Sequence, residues 1–219
     1  MNDSSPSPSA RPFASHAPVC RGARTILALA PLVAFAMLVV LLGVKSWHPS
    51  TAGFLADDAM YLLMADALTV DSADRLPVHD YAWTATNFPP LWPAILAIVG
   101  ASSDFAAPAY LMTVVLFALA GVLFAAWAWY ASNGSSLAVA ATVIGLMAPG
   151  WILLTQEPWS ECLFMALLGA TLLSAHRKIW WLAALFCGLA VLSRSAGIAL
   201  ALALLATLAL YRPAGWVRH

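Results

Sequence analysis

The chain of 219 residues is 63% hydrophobic and only 9% charged, whereas an ordinary soluble domain carries about 25% charged residues. So little charge argues against a water-soluble fold and predicts an integral membrane protein. Ten acidic and ten basic residues balance one another, so no net charge draws the chain to nucleic acid. The three cysteines are widely spaced, which suggests neither a disulfide framework nor a metal motif.

The N-terminal segment, residues 1–24, is rich in serine, proline and alanine and contains three arginines. This composition buries too little apolar surface to fold alone, so we expect a disordered tail. The run from Ile26 to Val44 is uncharged and longer than a signal-peptide core, which predicts a membrane anchor. The arginines before the anchor place the tail in the cytoplasm.

The loop after the anchor, about residues 46–87, holds most of the acidic side chains: Asp57, Asp58, Asp66, Asp71, Asp74 and Asp80. Within it, Tyr61, Met64 and Leu68 share one helical face, with Asp57 one turn earlier. This spacing predicts a short interfacial helix in a loop on the outer side of the membrane.

The remaining chain is a series of apolar segments. The proline-rich segment 88–100 is only about half a membrane thick. Longer runs follow at 106–131, 137–154, 160–175, 179–192 and 196–210. Pro149-Gly150 is expected to break the second of these runs. The pattern predicts an all-α polytopic membrane protein of about 6–7 transmembrane or re-entrant helices, with a C-terminal tail at 213–219.

Charge placement favours one topology. The bases His176, Arg177 and Lys178, and the C-terminal Arg212 and Arg218, should be cytoplasmic. This holds if segment 88–100 is re-entrant, and the acidic loop, Glu157, Glu161 and Arg194 then fall together on the outer side. The alternative is that one apolar run is miscounted.

Two pairs of acidic residues are candidates for chemistry. Asp57 and Asp58 open the interfacial helix, where one carboxylate can be held ionised by the helix N-terminus while the other repels it, an arrangement suited to a general base. Glu157 and Glu161 lie at a membrane boundary, where acids are usually functional. Each pair can equally serve as a helix cap, and Glu157 and Glu161 can also lie in the headgroup region.

Arg194 is isolated between two apolar runs. Its guanidinium matches phosphate oxygens in a bidentate fork, although an arginine here can also extend to the lipid headgroups. His79 and Asp80, beside Tyr81, are candidates to complete a metal or acid–base site, or are solvated loop residues. No cofactor is indicated by the sequence, and a divalent metal stays an open alternative.

Four short stretches, in this order, resemble the N-terminal part of the GT-C superfamily of polytopic glycosyltransferases, which includes protein O-mannosyltransferases and bacterial aminoarabinose transferases. They are Asp57-Asp58-Ala59-Met60-Tyr61, Asn87-Phe88-Pro89-Pro90-Leu91-Trp92-Pro93, Ser160-Glu161-Cys162-Leu163-Phe164 and Leu192-Ser193-Arg194. The resemblance covers residues 25 to about 210. Relatives usually have several more helices, so we expect the chain to be a truncated N-terminal module.

The resemblance implies transfer of a sugar from a polyprenyl-phosphate donor to a hydroxyl of a lipid, glycan or protein acceptor, on the outer face of a bacterial inner membrane. Asp57, with Asp58 beside it, would accept the acceptor's proton, and Arg194 would steady the lipid phosphate. Tyr61, Asp80, Glu157 and Glu161 would line the substrate pocket. The alternatives are a non-catalytic membrane protein, such as a transporter or assembly partner, and an inactive truncated transferase.

Overall fold

The computed structural model describes residues 19–46, 56–69 and 88–211, with side chains for 29–45, 59–69 and 88–210. Every regular element within these ranges is an α-helix. In chain order they are α1 (Val19–Ser46), α2 (Ala56–Ala67), α3 (Leu91–Ile98), α4 (Ala107–Ala131), α5 (Ser136–Leu146), α6 (Pro149–Leu154), α7 (Glu161–His176), α8 (Trp180–Ser193) and α9 (Gly197–Tyr211). The prediction of an all-α fold is confirmed over these ranges.

Only α4 among the described helices is both long and apolar enough to cross a membrane. Five shorter apolar helical stretches accompany it: Leu29–Lys45, Ser136–Leu146, Glu161–His176, Trp180–Ser193 and Gly197–Leu210. The predicted number of membrane crossings therefore stays a prediction.

Several local predictions agree with these bounds. The predicted interfacial helix is α2, and the proline-rich segment forms the eight-residue α3. The run at 137–154 is interrupted where expected, because α5 ends at Leu146 and α6 begins with Pro149 at its first position. One boundary differs: α1 begins at Val19, so residues 19–24, assigned to the tail, are helical.

The helices pack around α4, which contacts α1, α5 and α7. Phe35 of α1 lies against Phe117 of α4, with ring centroids 5.3 Å apart. This contact needs Gly121, since a Cβ at that position would overlap the Phe35 ring. A second group of buried side chains joins α2 and α3 to the first turns of α4 and α7 and to α8.

Side-chain contacts define two ends of the helix bundle. At one end, called the Arg194 end, Lys45 Nζ donates to Gln156 Oε1 at 2.9 Å and Arg194 pairs with Glu161. At the other, called the Arg177 end, the Arg177 guanidinium lies over the Tyr130 ring. Helices α4 and α7 therefore run parallel, from the Arg194 end to the Arg177 end, while α1 runs in the opposite direction.

Candidate functional site

The Arg194 end gathers elements that are far apart in the sequence. Trp92, in the first turn of α3, donates from Nε1 to the carbonyl oxygen of Pro158 at 2.6 Å. Both side chains are fully buried. A short bond between two desolvated groups holds strongly, because neither partner can turn to water. It attaches α3 to the segment that leads into α7.

Tyr61 of α2 makes the second connection. Its hydroxyl lies 3.2 Å from Ser160 Oγ, the residue before α7, and both residues are buried. The Tyr61 ring also packs edge-on against Phe88, at 5.3 Å between centroids and 75° between planes. The predicted pocket residue Tyr61 is therefore brought to the start of α7, where Glu161 follows Ser160 directly.

Asp57 and Asp58 lie in the first turn of α2, at positions for which the structure describes the backbone alone. Asp57 is four residues and Asp58 three residues before Tyr61, so the helical register places both on the face that carries Tyr61. The predicted acidic pair thus belongs to the helix that is attached to Ser160. Asp80 and His79 lie outside the described residues.

Arg194 forms an ion pair with Glu161 between Nη1 and Oε1, and the two side chains are 36% and 23% exposed. Arg194 ends α8 in an extended conformation, with its N–H bonded to the carbonyl of Ala190. Gly197 permits the tight turn into α9, since a Cβ there would overlap the Ala190 backbone. The guanidinium is therefore held at a sharp corner between two helices.

Glu157 and Trp159 complete the segment before α7. Glu157 is partly buried, with one carboxylate oxygen shielded from solvent, and its carbonyl accepts from the Trp159 N–H at 2.8 Å. The buried indole Nε1 of Trp159 has no hydrogen-bond partner among the described residues. This donor lies two residues before Glu161, at the same corner of the bundle.

The structure therefore brings together Tyr61, Glu157, Glu161 and Arg194, and it places the helix of Asp57 and Asp58 beside them. Sequence reasoning missed the contacts of Trp92 and Ser160, although both residues lie in the stretches that carry the family resemblance. A buried Trp or Ser has no local signal for its partner, because that partner lies on another element.

The site combines carboxylates with one guanidinium, a set suited to accepting a proton and holding an anion. Within residues 19–46, 56–69 and 88–211, no three His, Cys, Asp or Glu side chains come together as a possible metal site. Comparison with family models, curated proteins and solved structures finds no match to this chain.

Proposed function

We propose that the chain is a polytopic membrane protein with six crossings, made by α1, α4, the broken helix α5–α6, α7, α8 and α9. Large apolar side chains remain highly exposed along these helices, as at Val40, Val122, Ile144, Leu185 and Leu202. Exposed apolar area on this scale is unfavourable in water and favourable in lipid. In this arrangement α2 is the interfacial helix and α3 lies in the re-entrant segment.

The orientation follows from charge. The acidic side chains that the structure describes, Asp66, Asp104, Glu157 and Glu161, all belong to the Arg194 end. Arg177 and Lys178 belong to the opposite end, which the positive-inside rule assigns to the cytoplasm. The Arg194 end then faces the outer side, which the resemblance to GT-C transferases would make the outer face of a bacterial inner membrane.

The proposed activity is transfer of a sugar from a polyprenyl phosphate to an acceptor hydroxyl. One observation carries it: the four separate stretches that resemble the GT-C superfamily meet at the Arg194 end, joined by the Tyr61–Phe88, Tyr61–Ser160 and Glu161–Arg194 contacts. The chain is proposed to be the N-terminal module of such an enzyme.

The two chemical roles in the proposed step belong to two helices, α2 with Asp57 and α8 with Arg194 at its end. The acceptor oxygen forms a bond to the anomeric carbon as its proton passes to the Asp57 carboxylate. The bond from that carbon to the phosphate oxygen breaks on the opposite face, and the electron pair leaves with the lipid phosphate. Charge grows on this phosphate during the step, so a cation placed beside it lowers the barrier.

Arg194 supplies that cation in the proposal, and Glu161 positions it. The ion pair with Glu161 occupies one guanidinium nitrogen, and Arg194 is 36% exposed, so other N–H groups remain for phosphate oxygens. A guanidinium already held in place loses less conformational entropy when it binds.

The test is transfer of labelled sugar from a polyprenyl phosphate in membranes that contain the chain. Asp57→Asn should lower the rate by about 10²–10⁴-fold, the usual contribution of a general base, with membrane insertion unchanged. Asp104→Asn is the matched control, since it removes an exposed carboxylate at the same end of the bundle. Undiminished transfer by Asp57→Asn would contradict the assignment.

Arg194 is tested by comparing KM for donor and acceptor. Arg194→Ala should raise the donor KM by about 10–100-fold, as expected for a lost charged hydrogen bond, and leave the acceptor KM nearly unchanged. Arg194→Lys keeps the charge without the planar fork and should fall between wild type and alanine. Equal changes in the donor KM and the acceptor KM would contradict a phosphate-binding role for Arg194.

A non-catalytic membrane protein, either a transporter or an assembly partner, is the second candidate. The Glu161–Arg194 contact favours it, because a paired guanidinium can serve simply to attach α7 to α8. If this candidate is right, the wild-type chain shows no transfer even when it is correctly inserted and supplied with donor and acceptor. The double variant Glu161→Gln/Arg194→Gln then changes only the stability of the protein.

A further inference from the structure

The Arg177 end carries a second group of charged side chains, unrelated to the proposed sugar-transfer site. His176 is the last residue of α7, and Arg177 and Lys178 follow it; all three are exposed. The helix closes with two hydrogen bonds, from Lys178 N–H to Ala175 O and from Ile179 N–H to Ser174 O, each near 3.0 Å. This is the Schellman arrangement of a helix end.

Lys178 occupies an unusual position in that arrangement. Its φ is 59°, a left-handed conformation that glycine adopts more readily and that most helices give to glycine at this point. Lys178 therefore places a cation at a position where the backbone conformation favours glycine. The negative end of the helix dipole favours cations here. That preference alone does not explain two adjacent cations, Arg177 and Lys178, beyond the last turn of the helix.

The bases at this end have no acidic neighbour among the described residues. Every Asp or Glu whose side chain the structure describes lies at the Arg194 end, namely Asp66, Asp104, Glu157 and Glu161. Arg177 instead contacts an aromatic ring: its guanidinium carbon lies 4.4 Å from the Tyr130 centroid. A cation over a ring keeps its full charge, so the N–H groups at its edge remain available to an anion.

Exposed aromatic side chains lie at the same end of the bundle as these bases, and one of them, Tyr130, contacts Arg177. Trp129 and Tyr130, at the end of α4, are 46% and 43% exposed, and Trp181, in the first turn of α8, is 71% exposed. We call Trp129, Tyr130, Arg177, Lys178 and Trp181 the basic–aromatic patch. Exposed tryptophan and tyrosine are typical of the depth of lipid headgroups, where one part of the ring is in hydrocarbon and the other in water.

We propose that the basic–aromatic patch binds the phosphate of anionic phospholipids in the leaflet at the Arg177 end. The guanidinium fork and the ammonium match phosphate oxygens, and the aromatic rings fit the neighbouring acyl chains. An acidic peptide could satisfy the charges, but it would leave the exposed rings in water. The inference rests on the proposed membrane placement and is independent of sugar transfer.

The experiment titrates phosphatidylglycerol onto the full chain in neutral detergent, with phosphatidylcholine as the uncharged comparison, and counts retained lipids by native mass spectrometry. The variant Arg177→Gln/Lys178→Gln removes both charges. Its affinity for phosphatidylglycerol should fall about 25-fold, at about fivefold for each cation removed. The matched variant Arg177→Lys/Lys178→Arg keeps both charges and should retain the wild-type affinity within about twofold.

Raising the salt concentration should weaken the wild-type binding toward that of the uncharged variant, because exposed charges are screened. Lys45→Gln, which removes a cation at the Arg194 end, should leave the tight phosphatidylglycerol binding intact. Equal retention of the two lipids by wild type would overturn the proposal, as would unchanged phosphatidylglycerol binding by the uncharged variant. Displacement of the lipid by hexaglutamate would assign the patch to an acidic protein segment instead.

Discussion

Trp92→Phe tests whether one hydrogen bond attaches α3 to the rest of the site. The substitution keeps an aromatic ring at a fully buried position but removes the Nε1–H that donates to Pro158 O at 2.6 Å. The Pro158 carbonyl then has no donor in its buried surroundings. Since α3 also packs against α2 and α8, the helix should loosen rather than unfold on its own.

The expected cost has two parts. A buried carbonyl left without a donor costs about 1–3 kcal/mol. The smaller ring adds roughly 1 kcal/mol for lost contacts and residual cavity. We therefore expect Trp92→Phe to lower the free energy of unfolding by about 2–4 kcal/mol.

The measurement is unfolding in mild detergent with increasing SDS, followed by circular dichroism. Trp181→Phe is the matched control, because it makes the same chemical change at a side chain that is 71% exposed, and it should alter stability by less than about 0.5 kcal/mol. If both substitutions cost the same, the Trp92–Pro158 bond does not hold α3 in place.

Two further predictions concern contacts between helices. Gly121→Ala should destabilise the protein by about 1–3 kcal/mol, because its methyl group overlaps the Phe35 ring. Adding Phe35→Leu should recover part of that loss, and additive costs in the same unfolding assay would refute the contact. Tyr61→Phe should cost about 0.5–1.5 kcal/mol by removing the hydroxyl bonded to Ser160. Ser160→Ala should then add little to it in a double-mutant cycle.

The candidate site was predicted in part. Residue types and local order pointed to Asp57, Tyr61, Glu161 and Arg194, because carboxylates and an arginine beside apolar runs need a special reason to be there. The structure brings three of these together and places the helix of Asp57 beside them. The Glu161–Arg194 pairing was not predicted, because nothing near either residue in the sequence identifies its partner.

The sequence by itself determined the helices. Apolar runs, the proline at Pro149 and the spacing around Tyr61 are local signals, and they agree with α2, α4 and the break between α5 and α6. These signals act within a few turns of the same helix, through hydrogen bonding, side-chain crowding and the missing N–H of proline. The one shifted boundary, the start of α1 at Val19, lies at a helix end, where local signals are weakest.

Only the tertiary structure decided which helix faces meet. Tyr61 and Ser160 are 99 residues apart, and Trp92 and Pro158 are 66 apart. Most of these helices are apolar on all sides, so hydrophobicity alone does not choose a partner face. The choice comes from shape, as where Gly121 admits Phe35, and from the few buried polar groups that must find a donor or an acceptor.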